Sequence, residues 1–441
     1  MKDGGADAMS LTPLKQRSRN RHGNLGTLAS LVLTANLAGF QAISFIPSIF
    51  GIDRSAATVP FRAVVLLFVI YVIYKLIALH CLRGRVTLTT LLVLSFWFAY
   101  SIRFMIDSVI VDTPMYEPAW VMALFIFGII IPIFTVCYLI GDIELYKKAL
   151  PLSMLLLLFS CTAAMNRGST DSDIEKHGRS FGNDVLNPIS YGHMGVTAVI
   201  LGLFVLLKIG GTHRSWILRV MGSGSVCIGV FTILASGSRG ATVAAMVLVP
   251  ISLYLAVTRG SRLMTLAICG AGILTGSFSL GYLSTRGMDV GRLVASGWAF
   301  SSGNASTYER QNLIRDALQQ YADHPLFGSA IVERNSLMYP HNAIVEAFMA
   351  TGTFFGAIFT ILVLISVYRA IRLTGRNPGM AWVPLCFFQS LIGAMFSGGL
   401  YQNPVLWGMM AIMLGVDMPA NSIRKAERWV TIASQKVEAI A

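Results

Sequence analysis

Residues 118–140 have the sequence PAWVMALFIFGIIIPIFTVCYLI, an apolar run of 23 residues that contains no charged side chain. A helix needs about 20 predominantly apolar residues to cross the hydrocarbon core of a bilayer. Runs of this kind recur along the chain, at about 25–50, 60–80, 87–106, 118–140, 149–165, 190–208, 216–236, 240–258, 263–283, 341–368, 380–399 and 402–418. The sequence therefore predicts an all-α polytopic membrane protein with about 12 transmembrane helices, built as a single integral membrane domain over residues 1–441.

The composition excludes an ordinary soluble enzyme. Of the 441 residues, 55% are hydrophobic and 12% are charged, against roughly 25% charged residues in soluble proteins. The six cysteines lie far apart without a CxxC pair, so neither a zinc site nor a disulfide framework is predicted. Residues 1–24 are polar and basic and lead into an apolar run without a small-residue cleavage site, which predicts a cytoplasmic basic tail before a first span.

The positive charges predict the orientation of the spans. Cytoplasmic loops carry an excess of Lys and Arg, and with both termini in the cytoplasm that side holds 22 of the 34 basic residues against seven acids, a net charge of +15. The outer side has a net charge of −1, and Glu346 within a span brings the total to +13. The positive total therefore reflects topology, and no nucleic-acid partner is expected. Two outer loops are long, a shorter one at 166–189 and a large one at 284–340, and loops of such length are usually functional.

The large outer loop contains a predicted helix. Ser306-Thr-Tyr-Glu309 has the pattern of a capping box, which marks a helix start. An apolar stripe follows, made of Leu313, Ile314, Ala317, Leu318 and Tyr321. Arg310 lies at the head of this stripe, so we expect its guanidinium to face the membrane domain. It is either part of an anion site or an arginine that snorkels at the membrane surface.

A second arginine follows a serine and glycine turn between two spans. The turn Ala235-Ser-Gly-Ser-Arg-Gly240 can present backbone N–H groups, and the next helix adds the positive end of its dipole. Arg239 supplies a fork of donors suited to phosphate oxygens, and Ser238 is assigned a supporting role. The alternative is an ordinary interfacial arginine in a tight hairpin. A third arginine, Arg179, ends the shorter outer loop, and the three together predict a shared anionic ligand.

The segment Pro340-His341-Asn342 opens the span at 341–368. We expect His341 in the first helical turn on the outer side, where the helix dipole favours a neutral imidazole that can act as a general base. The alternative is a hydrogen-bonded interfacial histidine without a catalytic role. Asn342 is assigned a supporting role.

Two further features of this span attract attention. Glu346 is a carboxylate placed within the membrane, and such groups are functional candidates. We expect it to pair with an arginine or to support the site. Gly352 and Gly356 predict a small-residue face for close helix packing.

A candidate metal motif occurs in the shorter outer loop. Asp171-Ser-Asp173 is similar to the metal-binding DxD motif of nucleotide-sugar glycosyltransferases. It is short and lies on the outer side, away from nucleotide sugars, so no metal site is predicted.

Taken together, these pieces resemble the O-antigen ligase and O-antigen polymerase superfamily of bacterial envelope proteins. The resemblance covers roughly the second half of the chain and is carried, in order, by Ser236-Gly-Ser-Arg-Gly240, Tyr308-Glu-Arg310, His324-Pro-Leu-Phe-Gly328, and Pro340-His341-Asn342 followed by Glu346, Gly352 and Gly356. The first half matches only in the number of spans and around Arg179 to Asn187-Pro188. The chain departs from the family in having Gly328-Ser-Ala where a Gly-x-Gly is usual.

The resemblance implies a metal-independent inverting glycosyltransferase without a cofactor, which takes a glycan from undecaprenyl diphosphate at the periplasmic face of the inner membrane. It implies that Arg239 and Arg310 bind the diphosphate and that His341 activates or orients the acceptor hydroxyl. Arg179 is assigned to the same diphosphate site. The implied partners are the lipid-linked glycan donor, membrane lipid, and either lipid A-core or a growing glycan as acceptor.

Other functions are less consistent with the sequence. A transporter or flippase needs polar groups near the bilayer midplane and access from both sides, whereas the candidate groups here lie at one face. A structural scaffold would not need them. Within the enzyme class, the sequence favours an O-antigen ligase, with an O-antigen or exopolysaccharide polymerase as the alternative.

Overall fold

The computed structural model describes residues 24–78, 87–110, 118–167, 186–209, 215–258, 262–285 and 305–416, and within these ranges every regular element is helical. Twelve helices are apolar: α1 Asn24–Pro47, α2 Arg54–Ala78, α3 Leu88–Met105, α4 Ala119–Ile140, α5 Ala149–Arg167, α6 Pro188–Leu206, α7 Trp216–Ser236, α8 Arg239–Val257, α9 Arg262–Thr285, α11 Ala343–Arg376, α12 Trp382–Phe396 and α13 Pro404–Gly415. A polar helix, α10 (Ala305–Asp323), lies between α9 and α11. The prediction of an all-α polytopic membrane protein is confirmed.

The last two predicted spans are shorter than expected. Among the described residues, ten helices are long and apolar enough to cross a bilayer, whereas α12 and α13 have 15 and 12 residues. Short 3₁₀ turns at Pro378–Met380 and Leu400–Gln402 precede the two helices, and each turn includes the first residue of the predicted apolar run. Trp382 and Trp407, one on each helix, are fully buried. The apolar composition of α12 and α13 therefore reflects burial inside the bundle as much as contact with lipid.

Helix α6 is the most enclosed of the long spans, and glycines set its packing against α7. A methyl group at Gly195 would lie 2.7 Å from the carbonyl oxygen of Gly229, and one at Gly202 would lie 2.6 Å from that of Gly222. Such distances leave no room for a side chain, so the two backbones are in direct contact. Small residues are the usual means of close helix approach in membranes. By contrast, α9 is mostly exposed, as expected of a helix that faces lipid.

An aromatic cluster holds α3, α11 and α13 together. The ring centroids of Phe96 on α3 and Phe359 on α11 are 5.0 Å apart, and those of Trp97 on α3 and Trp407 on α13 are 4.4 Å apart. Aromatic pairs at such separations contribute about 0.5–1.5 kcal/mol each beyond the burial of their area. The cluster fixes the relative positions of these helices, and the loop before α11 is anchored on them.

Helix α11 is broken near its start at Gly352, which has a φ of +75°. The turn at 324–328 fills the break: Thr353 N–H donates to the carbonyl of Pro325 at 2.7 Å, and a Cβ at Gly352 would overlap the carbonyl of Leu326. A methyl group at Gly356 would meet Phe348 of the same helix. The predicted small-residue face for helix packing was therefore wrong, because Gly352 receives a loop backbone and not another helix.

We expect Gly352→Ala to destabilise the protein by roughly 2 kcal/mol or more. A Cβ there adds the cost of a left-handed backbone, about 1–2 kcal/mol, to that of an overpacked contact, about 1–3 kcal/mol. Thermal unfolding in detergent measures the loss. Gly375→Ala, in the same helix with open space around its Cα, is the control and should be neutral or stabilising by up to about 1 kcal/mol. Equal melting temperatures for both variants would contradict the role given to Gly352.

Candidate active site

His341 lies just before α11 and not in its first turn. The helix begins after Asn342, whose side chain caps it by accepting hydrogen bonds from the N–H groups of Ile344 and Val345, both at 3.1 Å. His341 itself has a φ of +56°, in the left-handed region that non-glycine residues rarely occupy. Its ring meets that of Tyr339 edge to face, with centroids 4.7 Å apart. The predicted helical placement of His341 was wrong because Asn342 takes the cap position.

His341 is held in the neutral form. Burial, the larger cause, and the positive charge of Arg310 together lower the pKa of the imidazole from 6.5 to about 4. The predicted neutral state thus has a different cause from the helix dipole. Nδ1 of the ring is buried and has no hydrogen-bond partner among the described residues. An imidazole with a bare nitrogen close to a guanidinium is arranged to meet an anion or a hydroxyl group.

The low pKa of His341 predicts how its reactivity depends on pH. We expect diethyl pyrocarbonate, which modifies neutral imidazole, to label His341 with a midpoint near pH 4, read by peptide mass spectrometry. Arg310→Gln should raise that midpoint because it removes a repelling charge. Since an unfolded histidine has a pKa of 6.5, this group's contribution to stability is complete above that pH and is lost as the pH falls towards 4. A wild-type midpoint at or above 6.5 would contradict the buried placement.

Helix α10 carries Arg310 against the membrane domain. Leu313 and Ala317 are buried, and the ring of Tyr321 lies edge to face on that of Phe348 of α11, with centroids 5.5 Å apart. The predicted apolar stripe therefore exists, with one correction: Leu318 is exposed and Gln320 takes its place on the buried face. The described helix begins at Ala305, so Ser306 lies within it.

The loop between α10 and α11 rests on two charged residues of α3 and its extension, a π-helical turn at Ile106–Ile110. Asp107 forms an ion pair with Arg103 at 3.3 Å and accepts a hydrogen bond from the N–H of Ile331 at 2.8 Å. Arg103 donates to the carbonyl of Gly328 at 3.3 Å. The sequence analysis missed this pair, although two opposite charges four residues apart at the end of an apolar span are a recognisable signal.

Two buried polar side chains complete the anchoring of the loop. Glu333 accepts hydrogen bonds from the N–H groups of Asn335 at 2.8 Å and Ser336 at 2.7 Å. The amide of Gln320 donates to the carbonyl of Val332 and accepts from the N–H of Arg334. Because the buried backbone groups of the loop are paired in this way, the segment that ends at His341 has a defined conformation.

Glu346 has partners other than an arginine. It is fully buried on α11 and accepts hydrogen bonds from the N–H of Leu400, at 2.9 and 3.0 Å, and from the hydroxyl of Tyr100 at 3.1 Å. These contacts join α11 to α3 and to the turn before α13. Within the part of the chain that the structure describes, Glu346 forms no ion pair with an arginine and instead joins helices next to the loop.

Arg239 begins α8, directly after a turn in which Gly237 has a φ of +55°. Ser238 is buried, and its N–H donates to the hydroxyl of Ser236 at 3.2 Å, so one backbone donor of the predicted anion site is already used. The turn packs closely on α6, where a methyl group at Gly192 would lie 2.5 Å from Oγ of Ser236. Arg239 itself is partly exposed at the head of its helix.

His193 and Arg62 lie near these groups and were missed by the sequence analysis. The amide nitrogen of Gln389 on α12 donates a hydrogen bond to Nδ1 of His193 on α6 at 2.9 Å, and a methyl group at Gly240 would lie 3.4 Å from Nε2 of His193. Arg62 on α2 stacks over the ring of Phe125, 4.4 Å from its centroid. Both line one cavity together with Tyr339. An arginine inside a predicted span was a signal for Arg62.

Several predictions fall on other parts of the chain. Arg179, the Asp171-Ser-Asp173 motif, residues 1–23 of the basic tail and residues 286–304 of the large loop lie outside the described residues, whereas Asn24 begins α1. Within the described ranges no group of three or more His, Cys, Asp and Glu residues is placed to hold a metal ion.

The comparisons with known proteins found a family match in the second half of the chain. The family model described as Wzy_C, O-antigen ligase, matches residues 224–361. Searches of curated proteins and of solved structures gave no match. The matched segment contains Arg239, Arg310, His341 and Glu346, together with the turn at Gly352. Residues 224–361 are thus similar to the O-antigen ligase family, which supports the resemblance to the O-antigen ligase and O-antigen polymerase superfamily.

Proposed function

We propose that this protein is a glycosyltransferase that moves a glycan from undecaprenyl diphosphate to an acceptor hydroxyl, with lipid A-core as the favoured acceptor. The observation that carries the proposal is the pairing of a neutral His341 with the charge of Arg310, inside the segment that matches the O-antigen ligase model. A base within electrostatic reach of a cation, just before a membrane helix, suits transfer from a lipid diphosphate.

In the proposed reaction, the acceptor oxygen attacks the anomeric carbon from the side opposite the diphosphate. The new carbon–oxygen bond forms as the bond to the diphosphate oxygen breaks, so the anomeric configuration inverts. His341 takes the proton of the hydroxyl, and undecaprenyl diphosphate leaves with the electron pair. Arg310 and Arg239 stabilise the charge that develops on the leaving group, as fixed cations do in other phosphate-transfer sites.

Donor binding would also change His341. In the ligand-free protein its pKa of about 4 makes the imidazole a weak base, whereas the best general bases have pKa values near the working pH. A diphosphate bound by Arg310 offsets the repelling charge and places an anion beside the ring, and both effects raise the imidazole pKa. The base is therefore strengthened when the donor is in place.

We place the site at the periplasmic face of the bacterial inner membrane, with both termini in the cytoplasm. The support is the partition of charge, +15 on the cytoplasmic side and −1 on the outer side. Arg179 is proposed as a third diphosphate ligand, since its loop lies on the same side. Asn342 supports the site by capping α11, Ser238 by shaping the turn before Arg239, and Glu346 by fixing the helix that follows His341.

We expect the transfer reaction to need no divalent metal, because arginines supply the positive charge. Purified protein with lipid-linked donor and acceptor should therefore keep its rate in excess EDTA, measured by the mobility of the glycosylated product. A protein whose activity is lost in EDTA and returns with Mg²⁺ or Mn²⁺ would contradict this and direct attention to Asp171 and Asp173.

A gene deletion separates the ligase from the alternative, a polymerase of O-antigen or exopolysaccharide. If the protein is a ligase, the deletion strain should lack capped lipopolysaccharide on gels while lipid-linked polymer stays intact. Accumulation of single lipid-linked repeat units would instead identify a polymerase. Unchanged lipopolysaccharide and secreted polysaccharide would contradict both.

A further inference from the structure

A cavity of about 310 Å³ lies between the two parts of the candidate active site. On one side Tyr339 lines it, and the same ring contacts His341. On another side His193 lines it, next to Gly240 in the first turn of α8 after Arg239. His341, Arg239 and Arg310 are not among the lining residues. The cavity therefore adjoins the candidate active site without including the side chains of these three residues.

The lining carries hydrogen-bonding groups that the described protein does not satisfy. Both amide atoms of Asn36, which is only 5% exposed, are buried without a partner, as are Oε1 of Gln41 and Nε2 of His193. A buried polar group without a partner costs about 1–3 kcal/mol, so it usually marks an unseen ligand or water. These atoms include donors and acceptors, and the amides among them are uncharged.

Aromatic rings line the cavity together with those polar groups. The rings of Phe40, Phe61, Phe125 and Tyr339 all line the cavity, and Arg62 lies over two of them, 5.4 Å from the centroid of Phe40 and 4.4 Å from that of Phe125. Among the lining residues, all of which the structure describes, there is no Asp, Glu or Lys. Amide groups and aromatic faces together suit a molecule with hydroxyl groups at its edge and C–H bonds on its faces.

The backbone around the cavity is unusual as well. Two π-helical turns, Ala35–Gly39 in α1 and Ile126–Ile130 in α4, both contribute residues to the lining. Such turns are rare and are found mostly at functional sites, because the extra residue opens the helix locally. The cavity thus coincides with two departures from regular helix geometry.

We propose that this cavity binds a pyranose ring of the membrane-linked glycan substrate, beside the reacting groups. A diphosphate needs more positive charge than Arg62 alone provides, and a lipid chain would leave the amides unsatisfied. The volume is at the lower end of the roughly 300–1,000 Å³ of small-molecule sites, so it accommodates a small saccharide and not a polymer. The choice of a glycan rests on the proposed function, and the ring can belong to the donor or to the acceptor.

Saturation-transfer NMR on the full-length protein in nanodiscs tests the proposal, with the methyl glycosides of glucose, galactose and N-acetylglucosamine as probes. We expect ring protons of at least one glycoside to receive saturation from the wild-type protein. Asn36→Leu and the partly exposed Gln41→Leu should weaken binding by about tenfold, the usual effect of losing a hydrogen bond of this kind. Gln311→Leu, on the exposed face of α10, is the matched control and should bind as the wild type does.

Competition identifies the source of the sugar. Displacement of the glycoside by purified lipid A-core glycolipid assigns the cavity to the acceptor, and displacement by undecaprenyl-diphosphate-linked glycan assigns it to the donor. Displacement by neither, displacement by inorganic diphosphate, no saturation transfer in the wild type, or equal transfer in all variants would each overturn the proposal.

The two proposals fail in different ways. His341→Ala should slow transfer by about 10²- to 10⁴-fold and leave glycoside binding intact. If transfer proves independent of His341 while glycoside binding depends on Asn36 and Gln41, the proposed reaction fails and the sugar site stands. If transfer depends on His341 while the cavity variants bind the glycoside as the wild type does, the proposed reaction stands and the proposed sugar site fails.

Discussion

A His341→Ala variant is expected to transfer glycan about 10²- to 10⁴-fold more slowly than the wild type, the usual contribution of a positioned general base. The side chain carries a buried nitrogen that has no partner among the described residues, and it packs edge-on against Tyr339, so it adds little to the apolar core. Donor binding should survive, because the proposed diphosphate contacts belong to the arginines. Single-turnover transfer and equilibrium binding of lipid-linked donor, measured on the same preparation, separate the two effects.

His324→Ala is the matched control for this variant. His324 lies in the same loop, but its side chain is exposed, and we expect transfer at the wild-type rate. Alanine removes the imidazole at position 341 but not the left-handed backbone, so a glycine variant serves as a second test. His341→Gly relieves that backbone and should be equally slow. If a well-expressed His341→Ala protein transferred glycan at the wild-type rate, the segment Pro340-His341-Asn342 would only precede the helix, and the proposed mechanism would be contradicted.

Arg310→Lys and Arg239→Lys should each lower the affinity for the lipid-diphosphate donor by about 10- to 100-fold. Lysine keeps the charge but loses the planar fork that holds two phosphate oxygens at once, and a hydrogen bond to a charged group is worth about 1.5–3 kcal/mol. Binding of radiolabelled donor to purified protein measures the loss. Arg310→Lys should also leave the pKa of His341 low, because the repelling positive charge remains.

Arg315→Lys is the control on the same helix. Arg315 lies five residues beyond Arg310, its side chain is 72% exposed, and its ion pair with Asp316 is at the surface, where such pairs contribute little. Donor binding should be unchanged. If Arg315→Lys weakened binding as much as Arg310→Lys, the effect would be one of general surface charge and not of a specific diphosphate contact.

The anchoring of the loop explains how the candidate site keeps its geometry. Three carboxylates are buried: Asp107, Glu333 and Glu346. Asp107 and Glu346 accept hydrogen bonds from backbone N–H groups of segments that are distant in the sequence, and Glu333 accepts them within a tight turn. A buried charge is costly unless it is fully hydrogen-bonded. Because these groups are satisfied only in one arrangement, they favour a single position for the chain that ends at His341.

Much of this molecule follows from patterns that are local in the sequence. Apolar runs of bilayer length predict the long spans, since in lipid every backbone group must be paired within its own segment. The polar helix of the large loop and its buried stripe through Leu313 and Ala317 were both found from spacing and residue type alone. These features depend on neighbours within a few turns, which a linear sequence displays directly.

The remaining features depend on contacts between distant residues. His341 is neutral because of burial and the charge of Arg310, not because of a helix dipole, and nothing near it in the sequence could show this. Glu346 contacts Tyr100 and Leu400, which are 246 and 54 residues away, and Gly352 accommodates a loop backbone. The cavity beside the site is assembled from α1, α2, α4, α6 and α12. Burial and long-range electrostatics arise only when the helices pack, so the chemical state of these side chains is a property of the assembled bundle.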